Sequence, residues 1–350
     1  NSVKNLQIAE SFDAFALDPA PGTCYGCPMK RLELSDWPEL VTRLRRPHHS
    51  SYFAMYSSVF DGIVTDPVLM MLPIDDHMVH RGDGIFEALK AVNGNLYNLK
   101  GHLERLANSA RGLALPMPEA FSQIHDIVIA TVKAGGRPDV MVRIFVSRGP
   151  GGFGVNPYEC PASQLYVAVT ALGSPFMQLH PEGARVRTST IAAKSAHMAS
   201  IKNCNYAPNV LMKKEAVDAG VDFSVGFDEL GFLTEGATEN MGIVSPDNQL
   251  LFPKLDRVLA GTTMLRLMAL AGDLVRRGKL THVGFADITA ADILRAREFL
   301  VAGTTINVAA AVSLDGQAIA EGRPGPVYRE LSALLEKDLR ENRELLTPAL

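Results

Sequence analysis

A chain of 350 residues has room for two domains and a large core, and 47% hydrophobic with 21% charged residues is an ordinary globular composition. Against 34 basic side chains stand 38 acidic ones, and the formal charge of −4 gives no electrostatic basis for binding nucleic acid or an anionic membrane. Four cysteines do not make a secreted disulfide scaffold. No charged leader with an apolar stretch opens the chain and no apolar run approaches a membrane span, so the cytoplasm is the expected location.

Residues 1–55 read as an N-terminal extension, with PAPG at 19–22 and a short helix in SDWPELVTRL (35–44). Cys24 and Cys27 form a single CxxC in a Pro/Gly-rich segment; with no second pair to complete a zinc site, two reduced thiols are expected and no metal. A smaller α/β domain is expected over 56–176. It holds a strand at VLMMLPI (68–74), two strands around the Asn93–Gly94 turn in IFEALKAVNGNLYNL, and helices at 102–115 and 121–136. Strands at 140–149 and 164–172 follow, separated by the glycine loop GPGGFGVNP. Past a linker near Ser174–Pro181, a larger α/β domain over 177–350 opens with a strand at 184–190 and a helix at 208–220. Strands around DFSVGF, MGIVS and QLLFP come next, then a helix at 263–275. A capped helix and a strand in ITAADILRAREFLVAG lead to a terminal amphipathic helix at 326–345.

Chemistry concentrates at the junctions. LAGTTMLR sets Gly261, Thr262 and Thr263 before a helix, where free N–H groups and hydroxyls suit a dianionic phosphate. VAGTTINV repeats the cluster at Gly303, Thr304 and Thr305. Neither matches GxxxxGK[ST], and no GxGxxG follows a strand, so the phosphate need not be a nucleotide's. Arg105 is a candidate cation for it. Glu235, in LTEGATEN, would need a proton or a cation as partner if buried. Lys202, alone among small and amide side chains in SIKNCNYAPNV, would supply an amine. An imine-forming amine, a ring-nitrogen partner and a phosphate cup are together what pyridoxal 5′-phosphate requires.

Six ordered segments carry a family likeness: HRGDGIFEALKAVNGNLYNLKGHLERL, SIKNCNYAPNVLMKKEA, GFLTEGATENMGIV, LAGTTMLRL, FLVAGTTINV and EGRPGPVYREL. From about Gly62 to Leu335 the chain resembles the class IV pyridoxal-phosphate enzymes, the group of branched-chain aminotransferases, D-amino-acid aminotransferases and aminodeoxychorismate lyase. The resemblance implies a two-domain α/β protein of fold type IV, D-amino-acid aminotransferase-like, with the cofactor between the domains of a homodimer. It makes Lys202 the Schiff-base lysine and catalytic residue, and Glu235 the pyridine-nitrogen partner. Arg105 takes the phosphate arginine's position, Thr263 and Thr304 the phosphate hydroxyls, with Thr262 and Gly303 beside them, and Tyr206 approaches the ring hydroxyl. Phe86 stands where D-amino-acid enzymes usually have tyrosine, and Arg81, Arg143 and Arg148 are the candidates for a substrate carboxylate. The implied activity is ping-pong transamination between a branched-chain-like or D-amino acid and a 2-oxo acid. The alternative is the lyase reaction, giving 4-aminobenzoate and pyruvate without an acceptor.

Overall fold

The computed structural model describes residues 29–350; the Cys24/Cys27 pair lies outside them. The described chain up to Leu44 belongs to one unit and Arg45–Leu350 forms a second, which carries all the chemistry below. In the first unit a 3-10 turn at Leu34–Asp36 runs into helix α1 (Trp37–Arg43). There Asp36 accepts from the Glu33 amide at 2.9 Å.

The second unit opens with β1 (Tyr52–Ser57) and β2 (Gly62–Val64). Val68–Ile74 is not the strand expected from its apolar run. Pro67 and an Asp66 cap, 3.2 Å from the Val68 amide, wind Pro67–Leu69 into a 3-10 turn instead. Helix α2 (His77–Arg81) leads to β3 (Gly84–Val92) and β4 (Asn95–Tyr97). These two join at Asn93 and Gly94, whose positive φ angles of 51° and 76° suit an Asn-Gly hairpin. Helices α3 (Leu99–Gly112) and α4 (Ile124–Gly135) precede β5 (Val140–Ser147) and β6 (Gln164–Ala171). The strands form an antiparallel sheet ordered β4-β3-β5-β6-β1-β2. Val128, Val132, Leu99 and Leu106 of the two helices pack in its core cluster.

A short α5 (Phe176–Leu179) leads to β7 (Ala184–Thr188), then α6 (Ala196–Ala199) and α7 (Ala207–Asp218). Next come β8 (Phe223–Phe227), β9 (Leu233–Gly236), β10 (Asn240–Val244) and β11 (Gln249–Pro253). Helix α8 (Thr262–Arg276) returns the chain to β12 (His282–Ala286), parallel to β11. Helix α9 (Ala290–Arg295) starts at a Thr289–Asp292 capping box and precedes β13 (Glu298–Gly303). The hairpin of β13 with β14 (Asn307–Leu314), a short β15 (Gln317–Ala318) and α10 (Pro326–Glu341) follow. The second sheet runs β12-β11-β10-β13-β14-β7-β8-β9, and β9 pairs back on β10 through Glu235 and Asn240. Six strands, β7 to β10 with β13 and β14, are thereby closed into a ring. Met264, Leu267 and Leu274 of α8 meet Leu331 and Leu335 of α10 on one side of this sheet. The terminal helix is shorter than its amphipathic pattern suggested. Beyond it β16 (Leu346–Pro348) crosses to the first sheet and pairs with β4.

Candidate active site

The lysine segment is fastened to the beginning of β3. The Phe86 amide donates to the Lys202 carbonyl at 3.0 Å, and the Cys204 amide donates to the Gly84 carbonyl at 2.8 Å. The Lys202 amide donates to Ser109 Oγ of α3 at 3.1 Å. With its backbone held on both flanks, Lys202 projects over the Phe86 ring, Nζ 4.4 Å from the centroid, and lies 6.0 Å from that of Tyr206. The two rings meet edge to face at 5.1 Å. Burial, assisted by the charge of Arg105, brings the Lys202 ammonium down to about 8.

Lys202 opens into a cavity of about 520 Å³. One wall is the face of β3 and β5 on which Phe86 pairs with Phe145 and Ala88 with Arg143. Across from it lie two glycine–threonine corners. Gly261 is the N-cap of α8 with no side-chain cap, so the first amides of a 15-residue helix are presented beside Thr262 and Thr263. A Cβ at Gly261 would stand 1.8 Å from Asn240 Oδ1, while Asn240 Nδ2 is tied to the Leu259 carbonyl at 2.9 Å. Only glycine fits. The second corner is the β13–β14 turn at Gly303–Thr305. It is held by buried Lys90, whose ammonium donates to the Thr304 carbonyl at 3.1 Å and to Asn307 Oδ1.

Arg105 lines the same cavity and is itself clamped. Its Nε and Nη2 donate to the two oxygens of Glu87, each at 2.7 Å, and Nη1 reaches the Ala260 carbonyl at 3.2 Å. His102, one helical turn before Arg105, places Nδ1 2.7 Å from Glu87 Oε2 and Nε2 3.4 Å from Thr262 Oγ1. Glu87 is 0% exposed. Burial would raise its carboxyl, but the Arg105 guanidinium and His102 more than offset that and hold it at about 2. Burial lowers His102, so Glu87 and Arg105 are the charged pair and the imidazole is neutral.

Glu235 borders an adjoining recess of about 30 Å³ that also touches Lys202 and Tyr206. Its Oε1 lies 3.1 Å from Lys194 Nζ, and its Oε2 accepts from the Leu259 amide at 3.3 Å. Burial, with the nearby Glu235 charge, raises the Tyr206 hydroxyl, which stays protonated.

Lys202, Arg105, Tyr206, Thr262, Thr263, Gly303 and Thr304 thus converge on one cavity, with Glu235 at its edge. Of the carboxylate candidates, Phe86's neighbour Arg143 lines it, with Nη1 3.1 Å from Thr170 Oγ1. Two expected candidates do not line it. Arg81 is turned outward onto the Phe153 and Gly154 carbonyls. Arg148 is a fork on Asp83, at 2.8 and 3.0 Å, and also holds the Leu113 and Ala114 carbonyls. The roles of Glu87, Lys90, His102 and Lys194 were not foreseen. A charge inside the apolar strand IFEALKAV, and a His and Arg three apart on one helix face, were the available signals.

A buried amine sharing a cavity with an uncapped helix N-terminus, in a cleft between two sheets, is the arrangement that an enzyme working through a phosphorylated carbonyl compound needs. The family described as amino-transferase class IV matches residues 84–314. The chain is 39% identical to a D-amino-acid transaminase, chloroplastic, of Arabidopsis thaliana, covering 83% of this chain and 77% of the relative. It is 28% identical to a putative branched-chain-amino-acid aminotransferase of Methanocaldococcus jannaschii, over 76% of this chain and 90% of that one. The branched-chain amino acid aminotransferase of T.th., solved with N-(5′-phosphopyridoxyl)-L-glutamate, superimposes with a TM-score of 0.77 at 26% identity. That match covers 85% of this chain and 99% of that one. The chain belongs to the class IV aminotransferases: it is a pyridoxal-phosphate-dependent enzyme of fold type IV that moves an amino group between an amino acid and a 2-oxo acid. These relationships give no support to the lyase alternative. The residues fit the cofactor, since the cavity joins a lysine of lowered proton affinity, two threonine corners and an arginine, and the adjoining recess adds the Glu235 carboxylate.

Proposed function

We propose that Lys202 is the catalytic amine, that Arg105, Thr262, Thr263, Gly303 and Thr304 hold the cofactor phosphate, and that Glu235 and Tyr206 hold its ring nitrogen and ring hydroxyl. Bound pyridoxal phosphate supplies a carbonyl that condenses with amines and a ring that takes up the electron pair left at Cα. Lys202 Nζ, its proton affinity lowered by burial, would take the Cα proton and pass it to the carbon that was the cofactor's carbonyl, and in the second half-reaction would carry a proton the opposite way. Glu235 would face the ring nitrogen and accept a hydrogen bond from its protonated form. Phe86 and Phe145 keep water from the reacting carbon.

The substrate reading rests on one observation: among the described residues the cavity wall carries Arg105, Arg143 and Lys202 and no carboxylate. Such a wall favours a substrate with an acid group over a neutral amine. Arg143 is the residue we assign to that acid group, because Arg81 and Arg148 are committed elsewhere. The 39% identity to a protein named D-amino-acid transaminase supports D-amino acids as first substrates. The apolar wall of Phe86, Ala88 and Phe145 supports branched-chain side chains as the second reading. We place the enzyme in the cytoplasm as a homodimer, with 1–55, 56–176 and 177–350 as extension, smaller and larger domains; sedimentation, cell fractionation and limited proteolysis test these points. For the activity, the loaded enzyme is screened with both enantiomers of apolar amino donors and a panel of 2-oxo acids. Borohydride trapping followed by peptide mapping then tests the amine, and a stoichiometric adduct on another lysine would overturn it.

A further inference from the structure

Lys194 has no part in the chemistry assigned above, yet its ammonium is 3.1 Å from Glu235 Oε1. The two side chains are 20% and 17% exposed, so the pair is largely withdrawn from solvent and little screened by it. The Leu259 amide takes the other oxygen at 3.3 Å, so both lone-pair edges of Glu235 are fixed by groups from different segments. Lys194 is itself seated 5.4 Å from the centroid of the Tyr206 ring, which limits its swing. The neighbouring acid Glu239 is turned away to Thr238, whose amide donates to it at 2.9 Å. Among the described residues, Lys194 is the ion-pair partner of Glu235.

We propose that Lys194 is a positioning residue for Glu235: its ammonium holds that carboxylate by an ion pair and sets its direction, so that the free edge of the carboxylate meets the cofactor's ring nitrogen. The inference rests on Glu235 being the ring-nitrogen partner. A carboxylate without this cation would be free to rotate, and the contact to the ring nitrogen would weaken. The phosphate contacts, made by other residues, would be unaffected.

The test compares binding of pyridoxal 5′-phosphate with that of its 1-deaza analogue, which has carbon in place of the ring nitrogen. The ratio of the two affinities isolates the nitrogen contact. In Lys194→Met the ratio should fall at least roughly tenfold, the scale of one charge-assisted hydrogen bond, while the deaza affinity stays within about threefold of the parent. Lys194→Arg should keep the parental ratio. An unchanged ratio in Lys194→Met, or a parallel loss for both ligands, overturns the proposal. A parent protein that binds both ligands equally removes the Glu235 reading and this inference with it. Cofactor binding at Lys202 would survive that result and is checked separately by trapping.

Discussion

Replacing Glu87 by Gln keeps the shape of a fully buried side chain and removes its charge. In the parent, Arg105 and His102 bring the carboxyl from 4.5 down to about 2 against the opposing effect of burial. At about 1.36 kcal/mol per tenfold, this corresponds to roughly 3 kcal/mol of stability at neutral pH. The sign follows from proton binding. A carboxyl with a depressed folded value contributes fully above its unfolded value, near 4.5, and loses that contribution as pH falls toward 2. Protonated Glu87 resembles Gln, so the parent and Glu87→Gln should converge in acid. Urea unfolding of both proteins at pH 7 should show a gap of roughly 3 kcal/mol, narrowing to roughly 2 kcal/mol at pH 3.5. Other titrating carboxyls are common to both proteins and cancel in the difference. Because Arg105 is no longer gripped on two nitrogens, cofactor affinity should fall as well. A gap that is absent at pH 7, or the same at both pH values, would refute the clamp.

Gly261→Ala should lose roughly 1–3 kcal/mol and weaken cofactor binding, because the new Cβ must push Asn240 off the Leu259 carbonyl; melting curves and titration read both. Arg143→Met should raise KM for the amino acid at least about tenfold, with cofactor absorbance unchanged, and an unaltered KM would remove Arg143 from the substrate site. Burial brings Lys90 down to about 8 from 10.5, so its ammonium costs stability below pH 8 and the cost is relieved as pH rises toward 10.5. Relative to Lys90→Met, the parent should therefore gain stability between those values in denaturant titrations; a falling difference would contradict the assignment.

The parts of this site legible in the sequence are those whose signal is contiguous. Gly-Thr-Thr before a helix, and again in a hairpin turn, is written within three residues, and both clusters line the cavity. The lone lysine of SIKNCNY likewise stands out from small neighbours. The supporting groups are written discontinuously. Glu87 meets Arg105 and His102 only because β3 and α3 pack together, and Lys194 meets Glu235 across 41 positions of chain. Arg81, Arg143 and Arg148 were indistinguishable by type. Strand parity separates them: Arg143 shares a face with Phe145, whereas Arg148 falls beyond the end of β5 at Asp83. Elements failed to be legible for related reasons. Val68–Ile74 is apolar without alternation and is broken by Pro67 and Pro73, and β16 has three residues with no period to detect.

The charges around the cavity also explain why Lys202 is tuned as it is. Arg105 is balanced by Glu87 on its far side, Lys90 by two neutral oxygens, and Arg143 by a hydroxyl. No acid intervenes between these cations and the cavity among the described residues. The Lys202 ammonium therefore feels burial first and Arg105 second, with Glu87 and Glu235 pulling the other way. Burial beside Phe86, Phe145 and Tyr206 is thus the larger cause that keeps the amine available, and the charge of Arg105 the smaller one.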